Sequence, residues 1–266
     1  MVDEPWALLK QAQLSNNTNH PQKDGWGVAW YGPEGAAAKL NKKPVFDTVQ
    51  EFRVAVASAH GPIVIAHIRE KSGSLPPKEK DAQPFVLGGT IFPHNGTVRK
   101  KDRVKDALLP GVCLQGDNDS EVFFRILQMN ISRVRDPIVA YQNSVRQIRS
   151  NWPKYKGAEN RPPHSALNVL FSPSANDLYA FCLFGPSDDV DIRGERKKRF
   201  TDNTERFYEM AYLASDKEVV IASEPLNDQI AWKPLKNGFS LHAWRDGDSV
   251  TCGPPIEMGL PTILSA

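Results

Sequence analysis

Pro62-Ile63-Val64-Ile65-Ala66-His67-Ile68 is the stretch on which the fold turns. It is a nearly continuous apolar run, and such a run reads as a strand buried on both faces. Upstream of it, Val49 to Ser58 looks helical, and Gly25-Trp26-Gly27-Val28-Ala29-Trp30-Tyr31 reads as a strand rich in aromatics. Further back, Ser15 to Lys23 is a polar loop, and the apolar spacing of Trp6, Leu8, Leu9 and Ala12 predicts a short helix over Pro5 to Leu14. Downstream, Ser72 to Gln83 is a charged loop, and the strand Thr90-Ile91-Phe92 leads into His94-Asn95-Gly96. Helices are predicted over 120–129 and 137–151. Ser165 to Phe171 and Leu178 to Phe184 form a hairpin around Ser172-Pro173-Ser174-Ala175-Asn176-Asp177. Val219 to Ala222 is a strand, and Gly238 to Val250 is a last hairpin turning at Asp246-Gly247-Asp248. Asp188 to Asn203 is a charged, basic stretch that reads as an exposed loop. Strands thus occur in both halves with helices between them, which is α+β and not a regular βαβ alternation. There is no internal repeat and no convincing linker, so residues 1–266 are read as one domain.

Composition narrows the function. Thirty-three basic residues against 31 acidic leave a net charge of +2 in 266 residues. That balance argues against nucleic acid or an anionic membrane as partner. No apolar run approaches the roughly 20 residues that span a bilayer, and the acidic start Met1-Val2-Asp3-Glu4-Pro5 has no signal core. Cys113, Cys182 and Cys252 fit neither a disulfide framework nor a zinc motif. A reducing cytoplasm is the simplest setting.

Four polar signatures sit at strand or helix ends, each with an ordinary structural alternative. Asp24-Gly25-Trp26-Gly27 reads by itself as a turn into a strand. Arg69, just past the buried strand in Ala66-His67-Ile68-Arg69, can grip a carboxylate bidentately, or form a structural ion pair. In His94-Asn95-Gly96, Asn95 offers a side-chain amide and Gly96 a closely approachable backbone N–H. This pair could form an oxyanion hole or a plain Asn-Gly turn. Asp119-Ser120-Glu121 reads as a helix start capped by Asp or Ser, and Asp119 there can also hold a substrate ammonium. Cys113 lies in the apolar run 108–114, where an inert buried thiol is expected.

The order of these signatures, together with Asp117-Asn118 before Asp119 and Val220-Ile221-Ala222-Ser223-Glu224-Pro225-Leu226 followed by Trp232, resembles the class II glutamine amidotransferases. It is most similar to the stand-alone subgroup that includes γ-glutamyl hydrolases of thiol and ergothioneine metabolism. The resemblance covers most of the chain and is weak over 130–215. It implies a four-layer αββα sandwich with two stacked antiparallel sheets. It also implies cleavage of the γ-amide of glutamine or a γ-glutamyl compound, with no metal or organic cofactor. Arg69 would bind the α-carboxylate and Asp119 the α-ammonium. Asn95 and Gly96 would form the oxyanion hole, and Ser72 would line the pocket. A separate ammonia-accepting synthase is a possible partner.

Two positions depart from the family pattern. Gln83, before Pro84-Phe85, stands where relatives carry a His. The family nucleophile is an N-terminal cysteine whose own α-amine is the general base, yet position 2 is Val and all three cysteines are internal. Met1-Val2 directly precedes the Asp-Glu-Pro turn, so the first-strand residues, cysteine included, are expected upstream of Met1. The other reading is a glutamine-binding module without catalysis.

Overall fold

The computed structural model describes residues 24–33, 37–45, 47–69, 78–151, 162–185, 208–227 and 231–260. The expected helix over 5–14, the basic stretch 188–203 and Ser72 lie outside these.

Fourteen strands and four α-helices are seen among them. In chain order they are β1 (Trp26–Trp30), β2 (Lys39–Lys43), α1 (Val49–Ser58), β3 (Val64–Ile68), β4 (Phe85–Leu87), β5 (Thr90–Phe92), β6 (His94–Val98), α2 (Lys101–Leu108), α3 (Asp119–Val134) and α4 (Pro137–Ser150). The second half holds β7 (His164–Ser174), β8 (Asp177–Cys182), β9 (Met210–Ala214), β10 (Val219–Ala222), β11 (Lys233–Leu235), β12 (Phe239–Asp246), β13 (Ser249–Cys252) and β14 (Ile256–Glu257). A large sheet runs β13-β12-β8-β7-β5-β4, with β14 on β12 and β6 on β7. Two small sheets, β2-β1-β3 and β10-β9-β11, complete the set, and every described pairing is antiparallel.

The layering follows from the two-residue period of strands. On β1, Trp26 and Val28 pack on Phe52 and Ala55 of α1. The alternate side of the same segment, Ala29 and Tyr31, packs with Ile65 and with Ile91 of the large sheet. On the large sheet, Leu167, Val169, Phe171 and Phe181 face Phe123, Leu127, Tyr141 and Val145 of α3 and α4. Its other face presents Ala180, Cys182 and Leu241 to Met210 and Tyr212 of β9. Helix, small sheets, large sheet and helices therefore stack as the expected αββα sandwich. Tyr31 fastens the two sheet layers, its hydroxyl lying 2.7 Å from the Gly89 carbonyl and 2.8 Å from that of Ser172.

Local sequence accounts for the helix starts. Thr48 accepts a bond from the Glu51 N–H at the head of α1, and Asp136 caps α4 ahead of Pro137, which needs no donor there. α3 begins at Asp119, and its cap is Asn118, whose side chain accepts from the Ser120 N–H at 2.9 Å. The expected Asp or Ser cap is thus corrected by one residue. Asn118 is free for this task because its own amide N–H₂ donates to the Asp81 carbonyl.

Two further expectations change. The run 62–68 forms a strand only from Val64, at an edge of its sheet, and Val64 is 43% exposed. Its apolar character reflects packing of Ile68 on α1 and of Ile65 on the large sheet. Cys113 is exposed instead of buried. Leu109 is the residue that closes this side of the core, and the chain turns outward at Pro110-Gly111, with Gly111 at φ +76°. No described helix is long and apolar enough to cross a membrane.

Candidate active site

The four polar signatures converge where the small sheet β2-β1-β3 crosses the strand segment that leads into β4. In the row Lys42–Gly27–His67, the three residues are direct cross-strand neighbours. Their side chains share the face turned toward the large sheet, since paired residues project to the same side. Gly27 is a glycine because the Gln83 carbonyl oxygen passes 2.4 Å from where its Cβ would stand. Beside it, the Lys42 Nζ donates to the Ala82 carbonyl at 3.0 Å. Arg69 follows two residues after His67, so it continues the same face. Its backbone is pinned by an N–H bond to the Gly25 carbonyl at 2.9 Å and by the Asp24 N–H on its own carbonyl at 3.0 Å. The Asp24-Gly25-Trp26-Gly27 motif is therefore more than a turn: it holds Arg69 at one end and Gln83 at the other.

His94-Asn95-Gly96 is not a turn but the start of β6, paired with β7 as His94↔Val169, Asn95↔Asn168 and Gly96↔Leu167. The Asn-Gly turn preference loses here to a long partner strand and to Pro93, which interrupts the ladder between β5 and β6. Alternation then divides the roles. His94 points to the helices, 5.3 Å from the Phe123 ring. Asn95 points into the gap between the sheet layers, the side on which Arg69 lies. Gly96 is at φ +145°, and a Cβ there would meet the Ala166 carbonyl oxygen at 2.0 Å. Close packing alone thus demands glycine at that position. Past Gly96 the register breaks in a bulge, and the Val98 N–H donates to Asp119 Oδ2 at 2.6 Å. One oxygen of Asp119 is therefore bound to backbone.

Beneath these residues lies a buried polar circuit. Gln83 donates to the His94 carbonyl and to Ser120 Oγ, each at 3.2 Å, and accepts the His94 N–H at 2.6 Å. His94 Nε2 is 3.2 Å from the Ala166 carbonyl, so that nitrogen carries the proton, and Nδ1 accepts from Ser120 Oγ at 2.9 Å. Burial holds the His94 pKa below its ordinary value, with Asp119 acting in the opposite sense. His67 is only partly covered as a residue, yet burial dominates its titration. Desolvation pushes it down to about 3, aided by the neighbouring His94 and Arg69. Both imidazoles are neutral at neutral pH, so neither adds a positive charge beside Arg69. Glu121 is engaged elsewhere, accepting from the Gln115 and Gly116 N–H groups at 2.8 and 2.7 Å. Arg69 is thus not paired with Glu121, nor, among the described residues, with Asp119.

The three cysteines lie outside this arrangement among the described contacts. Cys182 is buried with its thiol pushed up to about 12, and burial also raises Cys252. The segment around Ser223-Glu224 follows β10, and no described contact joins it to Arg69, Asn95 or Asp119. Burial lifts the Glu224 carboxyl to about 7. Among the described residues no cluster of His, Cys, Asp and Glu could hold a metal ion.

The profile of the family described as glutamine amidotransferases class-II matches residues 9–260. The chain belongs to that family. This class-II amidotransferase is similar to the γ-glutamyl-hercynylcysteine sulfoxide hydrolase of Mycolicibacterium smegmatis, at 29% identity over 101 residues. That match covers 37% of this chain and 44% of the relative, so the chain spans under half of that relative's length. Among solved structures, it is similar to a glutamine aminotransferase class-II domain protein from Silicibacter pomeroyi. The TM-score is 0.60 at 18% identity, covering 86% of this chain and 90% of that one. It is also similar to the glutamine phosphoribosylpyrophosphate amidotransferase of B. subtilis, with a TM-score of 0.60 at 13% identity, over 90% of this chain and 44% of that one. These two likenesses concern the fold.

Sequence reasoning attached no role to His67 or the Gln83 amide, and none to Ser120 beyond that of a helix cap. The two histidines were visible inside the quoted motifs. Only their pairing partners showed that both stand beside the site.

Proposed function

We propose that this class-II amidotransferase binds glutamine or a γ-glutamyl compound in the gap between the sheet layers and that the family chemistry, hydrolysis of the γ-amide, takes place there. Arg69 takes the α-carboxylate through its planar fork, and Asp119, at the positive end of α3, takes the α-ammonium through its remaining oxygen. Asn95 and the Gly96 N–H receive the oxyanion. An N-terminal cysteine is the nucleophile, its α-amine the general base. The observation that carries the reading is the position of Gln83, which bonds to the strand bearing Asn95 and to the helix bearing Asp119 and lies against Gly27, on the strand paired with the one that Arg69 follows. Ammonia or an amine leaves and water releases glutamate. A separate synthase could take the ammonia, while direct hydrolysis of a γ-glutamyl metabolite needs no partner. Three unpaired cysteines fit a cytoplasmic setting.

A second reading is a binding module without catalysis: Cys182 is buried and its thiol raised by that burial, so it offers no internal nucleophile. Both readings share the amino-acid clamp, and calorimetry on the 266-residue chain tests it. L-glutamine should bind. Glutaramic acid, which lacks the ammonium, should bind roughly ten- to a hundredfold more weakly, the worth of one charge-assisted contact of ~1.5–3 kcal/mol. N-acetylglutamine should fail likewise, and Asp119→Asn should remove the preference. Equal affinity for glutamine and glutaramic acid would exclude the clamp.

A further inference from the structure

Gln83 is buried where three elements meet, and its hydrogen bonds give it a purpose there. β4 and β5 pair as Phe85↔Phe92, so two register positions further along the ladder residue 83 would stand opposite residue 94. The chain does not continue the ladder with backbone there. The Gln83 side chain does it instead: Oε1 accepts the His94 N–H and Nε2 donates to the His94 carbonyl. A primary amide is the side chain that can present one acceptor and one donor in this way, as a peptide unit would. An imidazole cannot reproduce both contacts to one residue. The second Nε2 hydrogen goes to Ser120 Oγ, next to Asp119, and the main-chain oxygen fills the space that Gly27 leaves open. Gln83 is buried, 4% exposed, and all the polar positions of its amide needed for this are used.

We infer that Gln83 is a positioning residue that fixes the Asn95-Gly96 strand, the head of α3 and the Arg69 sheet at one mutual spacing, and so sets the selectivity of this chain for ligands with a free α-amino group. The inference rests on the site assignment proposed above. Ser120 is the link between the amide and the helix. Without it, Asp119 keeps its Val98 bond and α3 keeps its Phe123 contact with His94, but the hydrogen bonds that tie Gln83 and His94 to the helix are lost. Asn118 still caps the helix, so Ser120→Ala should fold.

The test uses the 266-residue chain and the ratio of affinities for L-glutamine and glutaramic acid, with melting temperature recorded alongside. In Ser120→Ala and in Gln83→His the ratio should fall by about tenfold, chiefly through weaker glutamine binding. Long-range ¹H–¹⁵N spectra should show His94 as the Nε2–H tautomer in both proteins, held by the Ala166 carbonyl, with the Nδ1 resonance shifted in Ser120→Ala by loss of its hydrogen bond. A lowered melting temperature with the ratio unchanged within twofold would show a merely structural role and overturn the inference. A parent chain that does not discriminate the two ligands would instead overturn the site assignment on which it rests.

Discussion

Gly27→Ala puts the junction between the sheets under a defined load. The added Cβ would stand 2.4 Å from the Gln83 carbonyl oxygen, with the Gln83 carbonyl carbon and the Lys42 Cβ each 3.0 Å away. The shortest ordinary C···O contacts are about 3.3 Å, so β1 and the Gln83 segment must part by roughly 0.9 Å. The nearest obstacle is backbone, which cannot swing aside as the tip of a side chain could. Overpacking of this kind costs about 1–3 kcal/mol. For a chain of this size that is a fall in Tm of roughly 2–12 °C. The displacement reaches the site, because Arg69 hangs on the Asp24 and Gly25 backbone next to β1. Glutamine affinity should therefore drop about tenfold, a modest reading of what a shift near 1 Å does to a positioned contact. Gly247→Ala is the control. It lies in the β12–β13 turn at φ +60° with no atom within 4 Å of the added Cβ. It should cost only left-handed strain, on the order of 1–2 kcal/mol, and leave binding alone. Scanning calorimetry and isothermal titration on both variants decide the matter. A Gly27→Ala protein within about 1 °C of the parent and with parental glutamine affinity would refute the reasoning.

In protein whose first residue is the proposed cysteine nucleophile, Asn95→Ala should lower kcat for glutamine hydrolysis by ~10²–10³ in a coupled dehydrogenase assay; a loss of tenfold or less would place the oxyanion hole elsewhere. Glu224 should make stability depend on pH. Its carboxyl is held near 7 against an ordinary 4.5, so the folded chain binds the extra proton between those values and stability from this group is lost as the pH rises through them. Glu224→Gln should gain on the parent steadily from about pH 4.5 to 7, and Tm-against-pH curves that run parallel would contradict this. His67, His94 and His164 act in the opposite sense, costing stability as the pH falls below their ordinary 6.5, and they cancel in that comparison.

Elements with strong local signals were legible in the chain. α1 runs from Val49 to Ser58 as its pattern predicts, and the β7–β8 hairpin turns within the expected segment. β2, Lys-Leu-Asn-Lys-Lys, escaped notice because it is an edge strand whose residues are all exposed or only half-covered, and a charged strand carries no apolar alternation. α2 buries only Val104, so it too lacks a stripe to read. At the site, Arg69, Asn95 and Asp119 could be picked out, because each stands at a motif of recognisable residue types.

What the sequence determined by itself is the set of chemical groups and the local propensities: an arginine after an apolar strand, an amide beside a glycine, a carboxylate at a helix head. The layer count came through the resemblance to the class II glutamine amidotransferases and not through any periodicity of the strands. What only the tertiary structure decided is which groups share a space. That depends on pairing register, since a slip of one residue would turn Asn95 away from the gap and His94 into it. It depends also on contacts between residues far apart in the chain. Gly27 must be small because residue 83 passes over it, Ser120 bonds a histidine 26 positions earlier, and Asp119 caps a bulge at Val98. Such contacts leave no periodic mark on the sequence, because each is a single meeting of two surfaces that exists only after the sheets have stacked.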